Sequence, residues 1–250
     1  MKITDPLFIP SKHKFNLSKA PVWNSMEQDI TIACRFNPDW RKIPEGYDSG
    51  VVVKNGQHAG IQVSHERGYG FIKGIIWVQK EDGTVGPEMT YVAVDKIPSD
   101  VYLWSKEAER QTFDVVFHHS HAKKQVTVML GLADWDRPYV EEINYEGKLV
   151  DYSNAWLWIG CCNGLDGVNE MDAGWYHGDI DFVGIFRKPF SDQDFITYFS
   201  EPESYNKPFW KEKEVITYID FKTKTPYKFR DESGNSNNVN IYKPEWGDLF

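Results

Sequence analysis

The chain has 250 residues, of which 41% are hydrophobic and 15% aromatic, and a formal net charge of −9. That length suits one large all-β domain or two small ones, and the apolar content excludes general disorder. The negative charge argues against nucleic acid and anionic membrane surfaces as partners, and no run of about 18 apolar residues is present to span a bilayer.

The amino terminus, Met1-Lys2-Ile3-Thr4-Asp5-Pro6, lacks the apolar core of a secretory signal, which points to a chain made and matured in a cytoplasm. Ile30, Ile32, Cys34 and Phe36 alternate with Thr31, Ala33 and Arg35, a period of two that turns one apolar face to a core. Val51-Val52-Val53 reads as a short buried strand or turn. Residues 61–64 and 71–79 read as the next two strands, parted by a turn at Gly68 and Gly70. Phe113, Val115 and Phe117 answer Val126, Val128 and Leu130 across residues 118–124, a hairpin with a polar tip. Trp156 and Trp158 alternate with Leu157 and Ile159, and Ile180, Phe182 and Phe186 close the series. Ser191, followed three residues later by Asp194, signals a helix start, with Phe190 and Phe195 spaced to pack across it. Residues 201–214, rich in Pro and charge, read as a linker, and 215–221 as one more strand. Frequent short strands with turn signals between them predict an all-β, two-sheet antiparallel sandwich with one short rim helix. Three cysteines, two of them adjacent at Cys161 and Cys162, make no disulfide framework.

Leu157-Trp158-Ile159-Gly160, then Gly178-Asp179-Ile180-Asp181-Phe182-Val183-Gly184-Ile185-Phe186, then Pro189-Phe190-Ser191-Asp192-Gln193-Asp194-Phe195 resemble the closing half of a laminin-G-like domain of the concanavalin A-like lectin/glucanase superfamily. Phe15-Asn16-Leu17, the run from Ile30 to Phe36, residues 50–54 with 60–63, and Thr112-Phe113-Asp114-Val115-Val116-Phe117 are similar to earlier parts of such a domain; Phe36 stands where the family usually has Trp. The resemblance implies a jelly-roll sandwich over residues 1–200. The run from Val215 to Phe221, followed by Asp231-Glu232-Ser233-Gly234-Asn235, resembles the opening strand and turn of the same family, here at the carboxyl end. It implies that residues 215–250 complete the sandwich as a permuted or added strand pair. The alternative is an arm that pairs with another subunit.

A retaining glycosidase needs two carboxylates about 5 Å apart. The superfamily's hydrolases carry them in a Glu-x-Asp-x-Glu run, which this sequence lacks; Asp179 and Asp181 come nearest, in a segment that the resemblance implies is structural. His118, His119 and His121 do not converge on a metal, because adjacent strand residues point to opposite faces. The resemblance also implies Ca²⁺ at the sandwich rim, for which Asp166, Asn169 and Asp172 are the candidate ligands. Turns prefer the same residue types. Trp40, Tyr47, Trp104, Trp135, Tyr139 and Trp175 fall in apparent loops. Sugar rings present apolar C–H faces to aromatic side chains and hydroxyls to polar ones. Asp134, Trp135, Asp136, Arg137 and Tyr139, with Trp175, are therefore the expected carbohydrate-binding residues.

Three functions compete. The first is a non-catalytic, lectin-like carbohydrate-binding module whose partner is a glycan or polysaccharide. The alternative is a structural or adhesive virion protein, as in a tailed phage, that uses the sandwich to dock other virion or surface proteins. A glycan hydrolase or lyase comes third, for want of the carboxylate run.

Overall fold

The computed structural model describes residues 14–17, 28–40, 42–43, 46–54, 59–66, 69–93, 111–132, 135–150, 157–160, 176–200, 207–221, 228–236 and 238–242. Fifteen strands and two short helices are found among them. One sheet has six strands in the order β13 (Val215–Asp220), β12 (Gly178–Phe186), β2 (Ile30–Pro38), β7 (Phe113–Ser120), β8 (Gln125–Gly131) and β9 (Tyr139–Asn144). The other has nine, running β10 (Lys148–Leu149), β5 (Tyr69–Gln79), β4 (Ala59–Glu66), β3 (Asp48–Lys54), β11 (Leu157–Ile159), β1 (Lys14–Leu17), β15 (Val239–Tyr242) and β14 (Lys228–Phe229), with β6 (Val85–Ala93) on the far side of β5. Every pairing is antiparallel.

The alternation read along the chain sets the inner faces. Ile32, Phe36, Phe117, Val128 and Leu130 of the six-stranded sheet join Val52, Ile61, Val63, Ile72 and Ile76 of the nine-stranded sheet in one buried cluster. The sheets approach closely at Gly74 of β5, where an added Cβ would lie 2.4 Å from Val128 Cγ2 and 3.0 Å from Phe117 Cδ2. β13 pairs with β12 and β15 with β1, so the carboxyl-terminal strands sit in both sheets beside strands from earlier in the chain.

Three features differ from the sequence expectation. The hairpin between β7 and β8 turns only at residues 121–124, and His118, His119 and Ser120 are buried strand residues. Thr31 explains part of this: its hydroxyl donates to the Lys188 carbonyl (2.7 Å) and meets His118 Nδ1 at 2.9 Å, so the imidazole has polar company inside. Second, residues 201–214 are not all linker, because α2 (Lys207–Glu212) lies within them. Third, α1 (Asp192–Ser200) packs on a sheet face rather than at a rim. Phe195, Tyr198 and Phe199 of α1, with Phe209 and Trp210 of α2 at the edge, pack on Ala33, Val116, Met129, Phe182 and Phe186. Phe182 and Phe199 stack at 5.8 Å, and Phe186 meets Tyr198 edge-on at 5.6 Å.

The start of α1 is closed reciprocally. The Asp194 N–H donates to Ser191 Oγ (3.2 Å) while the Ser191 N–H donates to Asp194 Oδ2 (2.7 Å), and Lys213 Nζ reaches the same carboxylate at 2.6 Å. Ser191→Ala is expected to cost about 1 kcal/mol, the usual effect of losing an N-cap. Thermal unfolding measures it, and an unchanged midpoint would mean that Asp194 holds the end unaided.

Candidate functional site

The residues expected to bind sugar do not form one exposed set. Trp135 is half-buried and leans on the main core, and its backbone N–H donates to the Leu132 carbonyl at 3.0 Å. Tyr139 is half-buried too, and its hydroxyl donates to Glu141. Asp136 and Arg137 are exposed. Asp134 and Trp175, like Asp166, Asn169 and Asp172, lie outside the described residues. Trp40 is a core residue, 4% exposed and set edge-on to Phe113, whereas Tyr47 is 58% exposed. Asp179 and Asp181 flank Ile180, where the pairing with β2 slips by one residue. Among the described residues, no group of three or more His, Cys, Asp or Glu is placed to hold a metal ion.

A different set comes together on the outer face of the nine-stranded sheet, away from the core. Ile61, Val63 and Ile72 point inward, so Gln62, Ser64 and Lys73 point outward. Register then aligns them in rows. Asp48, Ser64 and Phe71 form one row; Gly50, Gln62 and Lys73 form the next; Trp158, Val53, Gly60, Ile75 and Met89 form the third. Trp77, two residues beyond Ile75, belongs to the fourth. Rows on one face follow at about 7 Å, the reach of a single sugar ring.

Lys73 and Asp48 meet at 2.8 Å. Because β4 lies between their strands, this ion pair crosses it diagonally between positions 62 and 64. Lys73 is 3% exposed, and the Asp48 side chain keeps 27% of its surface. Beneath the bridge, Gln62 is fully buried, and neither its amide oxygen nor its amide nitrogen has a hydrogen-bond partner among the described residues. Beside Gln62 on β4 stands Gly60, at φ +136°, where a Cβ would lie 2.1 Å from the Val52 carbonyl oxygen. No side chain can stand there, so the row carries none between Val53 and Ile75. Phe71, Trp77 and Trp158 are half-buried on the same face.

Sequence reasoning missed this face. Gln62, Ser64 and Lys73 each alternate with apolar neighbours, the pattern of a solvated strand face. Only their burial marks them out, and burial is not a local property.

A second concavity of about 840 Å³ opens at the end of the sandwich, where the turns at 80–84, 121–124 and 145–147 converge. Lys80, Glu81, Glu88, Lys124, Tyr145 and Glu146 are among its lining. Lys80 pairs with Glu88 at 3.1 Å, and Lys124 donates to the Gly147 carbonyl at 3.1 Å. Behind this wall, the Tyr145 hydroxyl meets His119 Nε2 at 2.9 Å, with the two rings stacked.

Burial, together with the neighbouring His118 and His121 rings, pushes the His119 imidazole down to about 4, against the pull of Asp29. Burial also lowers His118. An unfolded histidine titrates near 6.5, so the unfolded chain takes up protons first and stability falls as pH drops from about 6.5 towards 4. The His119 difference alone corresponds to about 3 kcal/mol. Urea unfolding at pH 7.5 and pH 4.5 measures the decline, which His119→Gln is expected to flatten. An equally steep decline in that variant would assign the loss to other groups.

No protein-family model matches the chain, and no curated protein matches it. Among solved structures it is similar to a Bacteroides ovatus protein described as a candidate carbohydrate-binding protein, with a TM-score of 0.55, 10% identity and 93% of this chain covered. The chain spans 60% of the length of that protein. It is also similar to the CBM40 of a Ruminococcus gnavus IT-sialidase bound to α2,6-sialyllactose (TM-score 0.49, 14% identity, covering 77% of this chain and 95% of that one). A third likeness is to the enzymatically active domain of tailspike protein 2 of bacteriophage CBA120 (TM-score 0.49, 11% identity, covering 79% and 27%). The first shows a shared sandwich fold; none, at such identities, shows a shared ligand.

Proposed function

We propose that this chain is a non-catalytic, glycan-binding sandwich module of the laminin-G-like kind, with its ligand on the outer face of the nine-stranded sheet. One observation carries the reading: a fully buried amide without partners among the described residues lies in a polar row that aromatic side chains border on both sides. An unmet buried amide costs about 1–3 kcal/mol, and such a cost persists in a native fold where a ligand takes up the bonds. Asp48, Gln62, Ser64 and Lys73 offer carboxylate, amide, hydroxyl and ammonium groups, and Trp77 and Trp158 offer flat apolar surface nearby. Sites that combine a few convergent polar groups with aromatic walls suit small polar ligands.

The test is a glycan-array and polysaccharide screen of the purified chain, run in Ca²⁺ and again in chelator. Trp158→Ala is expected to weaken binding by roughly tenfold or more, while Trp158→Phe keeps most of it and Trp135→Ala changes little. Loss through Trp135→Ala alone would move the site to the loop at 135–139. Silence of the folded chain across the panel would remove the glycan reading and leave a docking block for protein partners. Sensitivity to chelator would add a calcium requirement.

A further inference from the structure

We infer that the outer-face site selects a neutral saccharide unit, with Gln62 as the residue that recognises adjacent hydroxyls; this rests on the reading of that face as a glycan site. Charge supports it. In the three rows that hold Asp48, Gln62 and Trp158, Lys73 is the one cation whose side chain is described, and Asp48 already matches it at 2.8 Å; Lys148 stands farther along the face, opposite Gln79. Among the described residues, no surplus positive charge is left in those rows to receive a carboxylate, sulfate or phosphate. The formal charge of −9 on the chain adds a general repulsion of polyanions.

The chemistry of the amide supports it as well. Gln62 has an oxygen that only accepts and a nitrogen that only donates, and both are unmet among the described residues. A pair of adjacent hydroxyls satisfies both, one donating and the other accepting. A carboxylate satisfies the nitrogen but sets its own oxygen against the amide oxygen, acceptor to acceptor. Gly60, next along β4 on the same face, sets no side chain of its own beside the amide. Because the Lys73–Asp48 bridge crosses above Gln62, a ligand reaches the amide as that bridge shifts. Asp48, the more exposed partner, is the side that yields.

Calorimetric titration decides the matter. The probes are neutral oligosaccharides of glucose, galactose, mannose and N-acetylglucosamine, set beside sialylated, uronate and sulfated oligosaccharides. The wild-type chain is expected to bind at least one neutral probe and to favour it over every acidic one, with little dependence on salt. Gln62→Leu and Gln62→Glu are each expected to weaken that binding by roughly tenfold or more. Gln62→Leu is also expected to melt at a higher temperature than wild type, an opposite movement that a merely structural glutamine does not produce. Tighter binding of an acidic probe overturns the neutral assignment and leaves the glycan site standing. Unchanged binding by a folded Gln62→Leu removes Gln62 as the determinant. Failure of the folded wild-type chain to bind any probe overturns the assignment together with the glycan reading beneath it.

Discussion

Replacing Gln62 with Leu is expected to raise the free energy of unfolding by about 1–3 kcal/mol. The wild-type fold buries an amide with no partner among the described residues, and so carries the desolvation cost of that group without the return of a hydrogen bond. Leucine has a similar reach and no polar atoms, so the cost vanishes while contact with the β4 neighbours is kept. The Lys73–Asp48 bridge stays intact, because the Gln62 amide bonds to neither partner and their own contact is 2.8 Å. Urea unfolding measures the gain, which should shift the midpoint and leave the slope alone. Stability bought at the expense of binding is the usual pattern where a site is kept unsatisfied for a ligand. A destabilised Gln62→Leu would show that the amide earns its place in the empty fold, and the functional assignment of this residue would fail.

Asp114→Ala is expected to cost about 3–5 kcal/mol, the scale for stripping one partner from a buried ion pair. Asp114 accepts from Arg35 Nε at 2.6 Å and from Nη2 at 2.8 Å, and the same Nη2 donates to the Phe199 carbonyl at 2.8 Å. The guanidinium also lies 5.6 Å from the Phe182 ring centre and 5.8 Å from that of Phe199. One cation therefore ties β2 and β7 to the end of α1. Burial pushes the Asp114 carboxyl up; the Arg35 bonds pull it down, and Asp181 adds to the upward push. The pair thus carries a large desolvation cost that its geometry offsets, and removing the carboxylate leaves the enclosed guanidinium without its hydrogen-bonded partner, with the charge of Asp181 acting on it from farther off. Arg35→Met combined with Asp114→Leu is expected to recover most of the loss, because an apolar pair of similar volume has no charge to desolvate. A double-mutant cycle of unfolding free energies reads both effects. If Asp114→Ala alone proves mild, water reaches the guanidinium and the pair is a surface contact in energetic terms. These residues are on the sheet opposite the proposed site, so saccharide binding by the folded fraction should be unchanged.

The parts of this fold that were legible in the sequence are the parts that depend on near neighbours. Alternation from Ile30 to Phe36 and in the β7–β8 hairpin announced strands with one apolar face, because successive side chains must point to opposite sides. Ser191 and Asp194 announced the start of α1, because the cap closes within three residues. The second helix was hidden: Lys207–Glu212 is six residues with a proline near its start, and its support comes from packing Phe209 and Trp210 against an aromatic cluster assembled from β12, β13 and α1. The two inward aromatics, Trp40 and the half-buried Trp135, looked like loop residues because nothing local distinguishes a ring that faces solvent from one that folds back on the core.

What the sequence determined by itself was therefore the strand content, the direction of each apolar face and the cap of one helix. Only the tertiary structure decided that Asp48, Gln62 and Lys73 share one face, that an ion pair crosses between two of them, and that the third is sealed from water without a partner among the described residues. Alternation states which side of a strand is polar. It says nothing about which strands will be neighbours or whether the polar side will be covered, and those two facts turn three ordinary strand residues into a candidate site.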